Sequence, residues 1–343
     1  MKILVIGYFA NNDLSAGGQS TKTILLYEKL SEIYGKDSIT KIETANWQKN
    51  IFAFLIKILK SLKEVENVII LPAQNGVKVL APLLYVFKYL FGYRLFYVVI
   101  GGWLPDLLKK NKWLITVLKG FNCIFPETQK LIELLKRMGI LNLKLLRNFK
   151  DASPIYYCRD NDNSEFKICT MSRVTPMKGI LDAISVIKKI KSDGYEVILD
   201  IYGPIEDGFE EAFYSKLNRL PKVIKYCGKV NYYNASSAIA NYDLLLFPTY
   251  YMTEGIPGTI IDAYCAGVPV VAYCWISGQE VIKDGITGLL VNQGNIDGLY
   301  RAITNLINKK NLLMKMKKNC KTEYQLYKSD IAIKTLLEEL EYK

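Results

Sequence analysis

The stretch TEGIPGTIIDAYCAGVPVVAY, residues 253–273, decides the fold. Pro257 and Gly258 turn a loop into a helix, GTIIDAYCAG (258–267), which closes on Gly267 and runs directly into the apolar strand VPVVAY (268–273). A helix feeding a β-branched run with no polar alternation predicts a strand buried on both faces, as in a parallel sheet flanked by helices.

Working outward, the same alternation recurs. FKICTMSRV (166–174), EVILDIYGP (196–204), VIKYCGKV (223–230) and DLLLFPT (243–249) read as strands. Helices over 179–194 and 209–220 and the segment ASSAIANY (235–242) separate them, and a helical tail begins near 297. The first half opens with strand KILVIGYF (2–9), a glycine-containing loop NNDLSAGGQS (11–20) and helix 21–35. VENVIILPA (65–73), YRLFYVVIGG (93–102) and CIFPET (123–128) are further strands, and QKLIELLKRMG (129–139) a further helix. Two such runs predict an α/β protein of two Rossmann-like doubly wound domains facing across a cleft. The expected division is 1–150, a polar linker 151–165, a second domain 166–320, and a C-terminal helix, 321–343, packing back toward the first domain. Asp160-Asn161-Asp162 in the linker resembles an Asp-x-Asp metal motif but reads as a solvated loop.

A chain of 343 residues, half of them apolar and 23% charged, is neither disordered nor a disulfide scaffold. Its seven cysteines are scattered without a Cys-x-x-Cys pair, which fits a reducing cytoplasm. The absence of histidine excludes His-based triads, His acid–base catalysis and His-ligated metal. MKILVIGYFA is not read as a signal peptide. In 79–100, Pro82, Lys88, Gly92 and Arg94 break the apolar run, so a buried helix and strand are expected in place of a membrane span.

The net charge of +12 lies in residues 1–150, which hold 22 Lys and Arg against 10 Asp and Glu. Residues 51–63, IFAFLIKILKSLK, and 103–119, WLPDLLKKNKWLITVLK, mix lysines with large apolar side chains. That mixture describes either interfacial helices or core helices with a solvated basic face. Peripheral association with the inner face of the cytoplasmic membrane is the expectation; no nucleic-acid-binding signature is present.

Glu254 and Asp262 lie eight positions apart, at most about 12 Å along a helix axis. The amides of Gly258, Thr259 and Ile260 at the helix start suit a diphosphate; a capped helix with incidental acids is the plainer alternative. Here the sequence resembles the family 4 retaining glycosyltransferases, which have the GT-B fold. The pattern reads Glu254, Gly255, Ile256, Pro257, Asp262, Ala263, Gly267, Pro269, Val270 and Val271. SRVTPMKG (172–179), DIYGP (200–204), YCGKV (226–230) and SGQEVIKDGITGLLV (277–291) follow the family's other segments, SAGGQS its paired glycines Gly17 and Gly18, and LLRNF places Asn148 where the first domain ends.

The resemblance implies that Arg173 and Lys178 stabilise the leaving diphosphate without a metal or other cofactor, and that Glu254 binds sugar hydroxyls. It also implies donor contacts from Gly17, Gly18, Gly203, Gly228, Val230, Ile256, Gly258 and Thr259, with Asp262 on the ribose. Glu280 is expected to anchor its loop. Asp262 stands where the family has Glu. The family's first-domain histidine is missing, leaving Gly101, Gly102 and Trp103 as acceptor-side candidates. The implied activity is retaining transfer of a hexose from a nucleotide-diphosphate sugar, UDP-linked foremost, to a lipid-linked or glycan acceptor in surface polysaccharide assembly. A nucleotide-sugar epimerase and a non-catalytic nucleotide- or membrane-binding scaffold are the alternatives.

Overall fold

The computed structural model describes residues 1–10, 17–153, 165–217 and 223–342. The chain forms two compact units, Met1–Phe149 with Ser329–Lys343, and Lys150–Lys328. The linker motif Asp160-Asn161-Asp162 lies outside the described residues.

The first unit runs β1 (Ile3–Gly7), α1 (Gly18–Tyr34), β2 (Ile39–Glu43), α2 (Ile51–Leu62), β3 (Asn67–Leu71) and α3 (Gln74–Phe91). It continues through β4 (Arg94–Val98), α4 (Leu104–Lys110), α5 (Trp113–Lys119), β5 (Cys123–Phe125) and α6 (Gln129–Arg137). Its five strands pair in the order β2-β1-β3-β4-β5, all parallel. Successive residues of each strand point to opposite faces, and both faces are covered. Leu4, Ile6, Val68, Ile70 and Leu95 pack with α2 to α6, whereas Ile3, Val5, Ile69, Leu71 and Phe96 pack with α1. Burial on both faces is why these strands read as unbroken apolar runs.

The second unit runs β6 (Phe166–Met171), α7 (Ile180–Ser192), β7 (Val197–Tyr202), α8 (Glu210–Leu217), β8 (Ile224–Gly228) and α9 (Ala235–Ile239). There follow β9 (Leu244–Phe247), α10 (Gly258–Ala266), β10 (Val270–Tyr273), α11 (Gly278–Val281), β11 (Gly288–Val291), α12 (Ile296–Asn308) and α13 (Lys310–Tyr324). Six parallel strands take the order β11-β10-β9-β6-β7-β8. The order reverses between β6 and β9, which makes the carboxyl ends of those two strands the switch point of the sheet. The chain ends with α14 (Ser329–Ala332) and α15 (Lys334–Glu341) in the first unit, where Ile333, Leu336 and Leu340 join the α1 face of the core.

Two elements differ from the sequence reading. Residues 103–119 form two seven-residue helices, α4 and α5, and not one, because Asn111 ends α4: its amide and side-chain nitrogen both return to Leu107 O. The strands β2 and β11 lie at sheet edges and were not anticipated; β2 is largely uncovered, with only Ile39 and Ile42 buried. The 79–100 run is α3 and β4, and among the described residues no helix is long and apolar enough to cross a membrane.

Candidate functional site

The β6 and β9 loops meet at the switch point of the second unit. After β6 the chain passes Ser172 and Arg173 to a single 3-10 turn, Pro176–Lys178, and is turned by Gly179 at φ 68° into α7. A Cβ on Gly179 would lie 1.9 Å from Pro248 O, so only glycine lets the two loops touch. Tyr250 N donates to Met177 O at 2.8 Å, and the Tyr250 hydroxyl donates to Asp182 Oδ2 at 2.6 Å. These bonds lock the loop after β9 onto the start of α7.

That clamp brings Lys178 to Glu254. The ammonium pairs with Glu254 Oε1, which also accepts a hydrogen bond from Thr249 Oγ1 at 3.0 Å. Lys178 Nζ lies 5.1 Å from the ring centres of both Phe247 and Tyr251, within cation–π range. Arg173 is exposed and has no ion-pair partner among the described residues. Lys178 and Glu254 therefore pair where the loops leave the carboxyl ends of β6 and β9, and Arg173 stands exposed on the first of those loops.

The adjoining strands supply backbone. Gly203, at φ 133°, donates its N–H to Gly228 O at 2.9 Å, and a Cβ there would strike Ser172 O at 1.8 Å. Gly228 itself has φ 76° with open space around it, and Val230 follows half-buried. The ends of β6, β7 and β8 thus approach one another through glycine, leaving backbone at the surface.

Past Glu254, Pro257 caps α10. Ile260 N is committed to Pro257 O at 3.0 Å, so among the described residues the free amides at this helix start are those of Gly258 and Thr259; the expectation of a third at Ile260 is corrected. Gly258 faces open space, and Thr259 Oγ1 is buried without a hydrogen-bond partner among the described residues. A buried orphan hydroxyl is costly unless a ligand or water completes it. Ile256 is 4% exposed and packs into the core beneath.

Asp262 lies one turn into α10 and is 4% exposed. Its Oδ1 is 2.5 Å from Lys150 Nζ, which also donates to Tyr232 O at 2.7 Å and sits 3.9 Å from the Tyr232 ring centre. Burial pushes the Asp262 carboxyl up to about 6, with Lys150 opposing the rise. Lys150 was not anticipated. Its main chain is held by Tyr327 O and by the Tyr324 hydroxyl, so no local motif announces it. Glu280 sits on the short α11, its N–H bonded to Ser277 O.

In the first unit Gly17 (φ 113°) caps α1 and Gly18 begins it, both with open space where a Cβ would be. Gly101 (φ 78°), Gly102 and Trp103 follow β4, with Trp103 O accepting from Asp106 and Leu107 to start α4. A buried ion pair supports this end of the sheet and escaped the sequence reading. Lys22 Nζ is 2.6 Å from Glu127 Oε1 and donates to Val99 O at 3.1 Å, and Gly101 N donates to Glu127 Oε2 at 3.3 Å. Burial drives the Lys22 pKa down, and Glu127 partly restores it. Among the described residues no group of three or more Cys, Asp or Glu is placed to hold a metal ion.

Cations, glycine-lined backbone and a helix N-terminus at the switch point of a doubly wound unit suit a phosphate-bearing ligand. Residues 159–323, just under half of the chain, match the family of glycosyl transferases group 1. Over 155 residues it is 30% identical to the capsular polysaccharide biosynthesis glycosyltransferase CapM of Staphylococcus aureus, which covers 44% of this chain and 39% of CapM. An uncharacterized glycosyltransferase of Methanocaldococcus jannaschii is 26% identical over 155 residues, 45% of this chain and 39% of that protein. The matched stretch thus spans about two-fifths of these relatives. The fold is that of Anabaena HepE, solved in complex with UDP (TM-score 0.78, 16% identity, 99% of both chains). It is equally that of sucrose-phosphate synthase from Thermosynechococcus elongatus (TM-score 0.79, 14% identity, 99% of both chains). Both units are Rossmann-like, as in the GT-B fold.

Proposed function

We propose that the protein is a retaining, metal-independent hexosyltransferase. It would move a sugar from a nucleotide diphosphate, UDP foremost, to a lipid-linked or glycan acceptor in surface polysaccharide assembly at the cytoplasmic face of a membrane. The observation that carries this reading is the Lys178–Glu254 pair at the switch point, beside exposed Arg173 and the free amides of Gly258 and Thr259. A departing nucleoside diphosphate gains negative charge as the anomeric carbon becomes cationic. Fixed ammonium and guanidinium groups placed where that charge develops stabilise the transition state more than the ground state. In this reading Lys178 exchanges Glu254 for the phosphate, and Glu254 then accepts hydrogen bonds from sugar hydroxyls. The chain has no histidine to act as base. The acceptor hydroxyl therefore passes its proton to the leaving phosphate oxygen as its own oxygen bonds the anomeric carbon on the face where the phosphate departs.

HepE, which shares the fold, has been solved with UDP and with UDP-glucose, and CapM is a capsular polysaccharide enzyme by name; both favour this donor class and pathway. One observation favours a second reading, a nucleotide-binding protein without turnover: the carboxylate expected on the ribose, Asp262, is engaged by Lys150.

The test is a thermal-shift panel with UDP, GDP, ADP and CMP on the wild type and Lys178→Ala, paired with release of nucleoside diphosphate from the matching donors. A ligand at a hundred times its Kd stabilises the fold by about 2.7 kcal/mol. One diphosphate should raise the melting point, Lys178→Ala should weaken that shift, and turnover should fall on the order of a hundredfold or more. Binding without turnover by the wild type selects the second reading. Normal turnover in Lys178→Ala removes the site assignment.

A further inference from the structure

The helices α2, α3 and α5 lie on one face of the first-unit sheet, and their outer sides carry both apolar and basic side chains. Phe52 is 81% exposed, Tyr89 and Leu90 each 71%, Val86 57%, Ile56 52% and Trp113 50%. Phe52 and Ile56 are one turn apart on α2; Val79, Val86 and Leu90 form one stripe on α3. Between α2 and α3 an open groove of about 590 Å³, lined by Ile51, Leu55, Val79, Leu83 and Phe87 among others, continues the patch, with Lys78 at its edge. Helix α3 was read from the sequence as wholly buried; its outer stripe is what joins the two basic segments into one surface.

The charge on this face has one sign. Between Glu43 and Glu127 the chain holds 11 Lys and Arg but only Glu64, Glu66 and Asp106, and none of those three lies on α2, α3 or α5. Lys49, Lys57, Lys60, Lys63, Lys112 and Lys119 are all exposed. Scattered exposed apolar residues need no explanation, but a contiguous set ringed by uncompensated lysines does. A protein partner would need both an apolar surface and an acidic rim. A bilayer containing anionic phospholipid presents both at once, hydrocarbon beneath a negative headgroup layer.

We propose that the α2–α3–α5 face docks on an anionic membrane surface, with Phe52, Ile56, Val86, Leu90 and Trp113 entering the interface and the lysines at headgroup level. This deepens the acceptor reading above, since it sets a lipid-linked acceptor's membrane against the first unit. Vesicle binding is read without turnover, so either proposal can fail alone.

The experiment is co-sedimentation of the full chain with vesicles of phosphatidylcholine, with or without phosphatidylglycerol, at low and high salt. The wild type should pellet with the anionic vesicles only, and less at high salt, where screening shortens the range of the lysines. Lys57→Gln, Lys60→Gln and Lys63→Gln combined should weaken partitioning about a hundredfold. Phe52→Glu with Leu90→Glu should reduce it at least tenfold. All five side chains are exposed, so the variants should melt with the wild type, which a thermal scan checks. Negligible pelleting with both vesicles, or undiminished pelleting of either variant, overturns the proposal. A dimer in sedimentation velocity that Phe52→Glu/Leu90→Glu dissolves, without vesicle binding, assigns the face to a second copy and overturns it too.

Discussion

Replacing Lys150 by Met removes the one cation that the described residues place beside Asp262, and the structure sets what that should cost. In the wild type both side chains are almost wholly buried, 3% and 6% exposed, and Asp262 titrates near 6. Its folded pKa lies above the unfolded value of about 3.9. The stability it contributes is therefore complete below about pH 4 and is lost as pH rises through the folded pKa. Lys150 lowers that pKa by charge and by hydrogen bonding, so Lys150→Met raises it further. At pH 5 Asp262 is largely protonated in both proteins. The variant then loses mainly the hydrogen bond to Tyr232 O, about 1 kcal/mol. At pH 8 each further unit of pKa adds about 1.4 kcal/mol, so the deficit grows by up to about 3 kcal/mol. The total approaches the roughly 3–5 kcal/mol typical of a broken buried pair. Urea denaturation at pH 5 and pH 8 measures the deficit at each. Adding Asp262→Asn to Lys150→Met should return the pH 8 stability to within about 1–2 kcal/mol of the wild type. A deficit of equal size at both pH values, or strict additivity of the two substitutions, would refute the reasoning.

Substitutions at three other positions test the architecture and the site. Gly179→Ala, at φ 68° with its Cβ 1.9 Å from Pro248 O, should destabilise by more than about 2 kcal/mol in chemical denaturation. Gly258→Ala, facing open space at a helix start, should leave stability within about 0.5 kcal/mol while weakening binding of the stabilising diphosphate, read by calorimetry. Lys22→Met removes the ammonium beside buried Glu127 in the first-unit core and should cost about 3–5 kcal/mol in urea; a loss under 1 kcal/mol would show that the pair is dispensable.

The central strands of both sheets were legible because burial on two faces leaves a continuous apolar run, as in ILVIG of β1 and LLLF of β9. The edge strands were not. Ile-Thr-Lys-Ile-Glu in β2 exposes Thr40 and Lys41, and its identity comes from pairing with β1, a contact that a local pattern does not encode. The break at Asn111 was missed for a related reason: the lysine and leucine spacing of 103–119 suits one helix as well as two.

The site divides along the same line. Glu254, Gly258 and Thr259 stand close together in the chain, and Lys178 carries its own Gly179 turn, so local spacing marked each of them. The positions of Gly179 and Gly203 were legible too, although the contacts that require them, with Pro248 O and Ser172 O, come from neighbouring strands.

By itself, the sequence determined two doubly wound units, an N-terminal excess of positive charge, chemistry without histidine, and the residues that line the switch point. Only the tertiary structure decided that Lys178 meets Glu254, that Asp262 is held by Lys150, and that Lys22 and Glu127 share a buried pair across 105 residues of chain. The physical reason is range. Periodicity and turn chemistry act over a few residues and so are written locally, whereas a buried charge is tolerated only where a distant partner arrives to meet it.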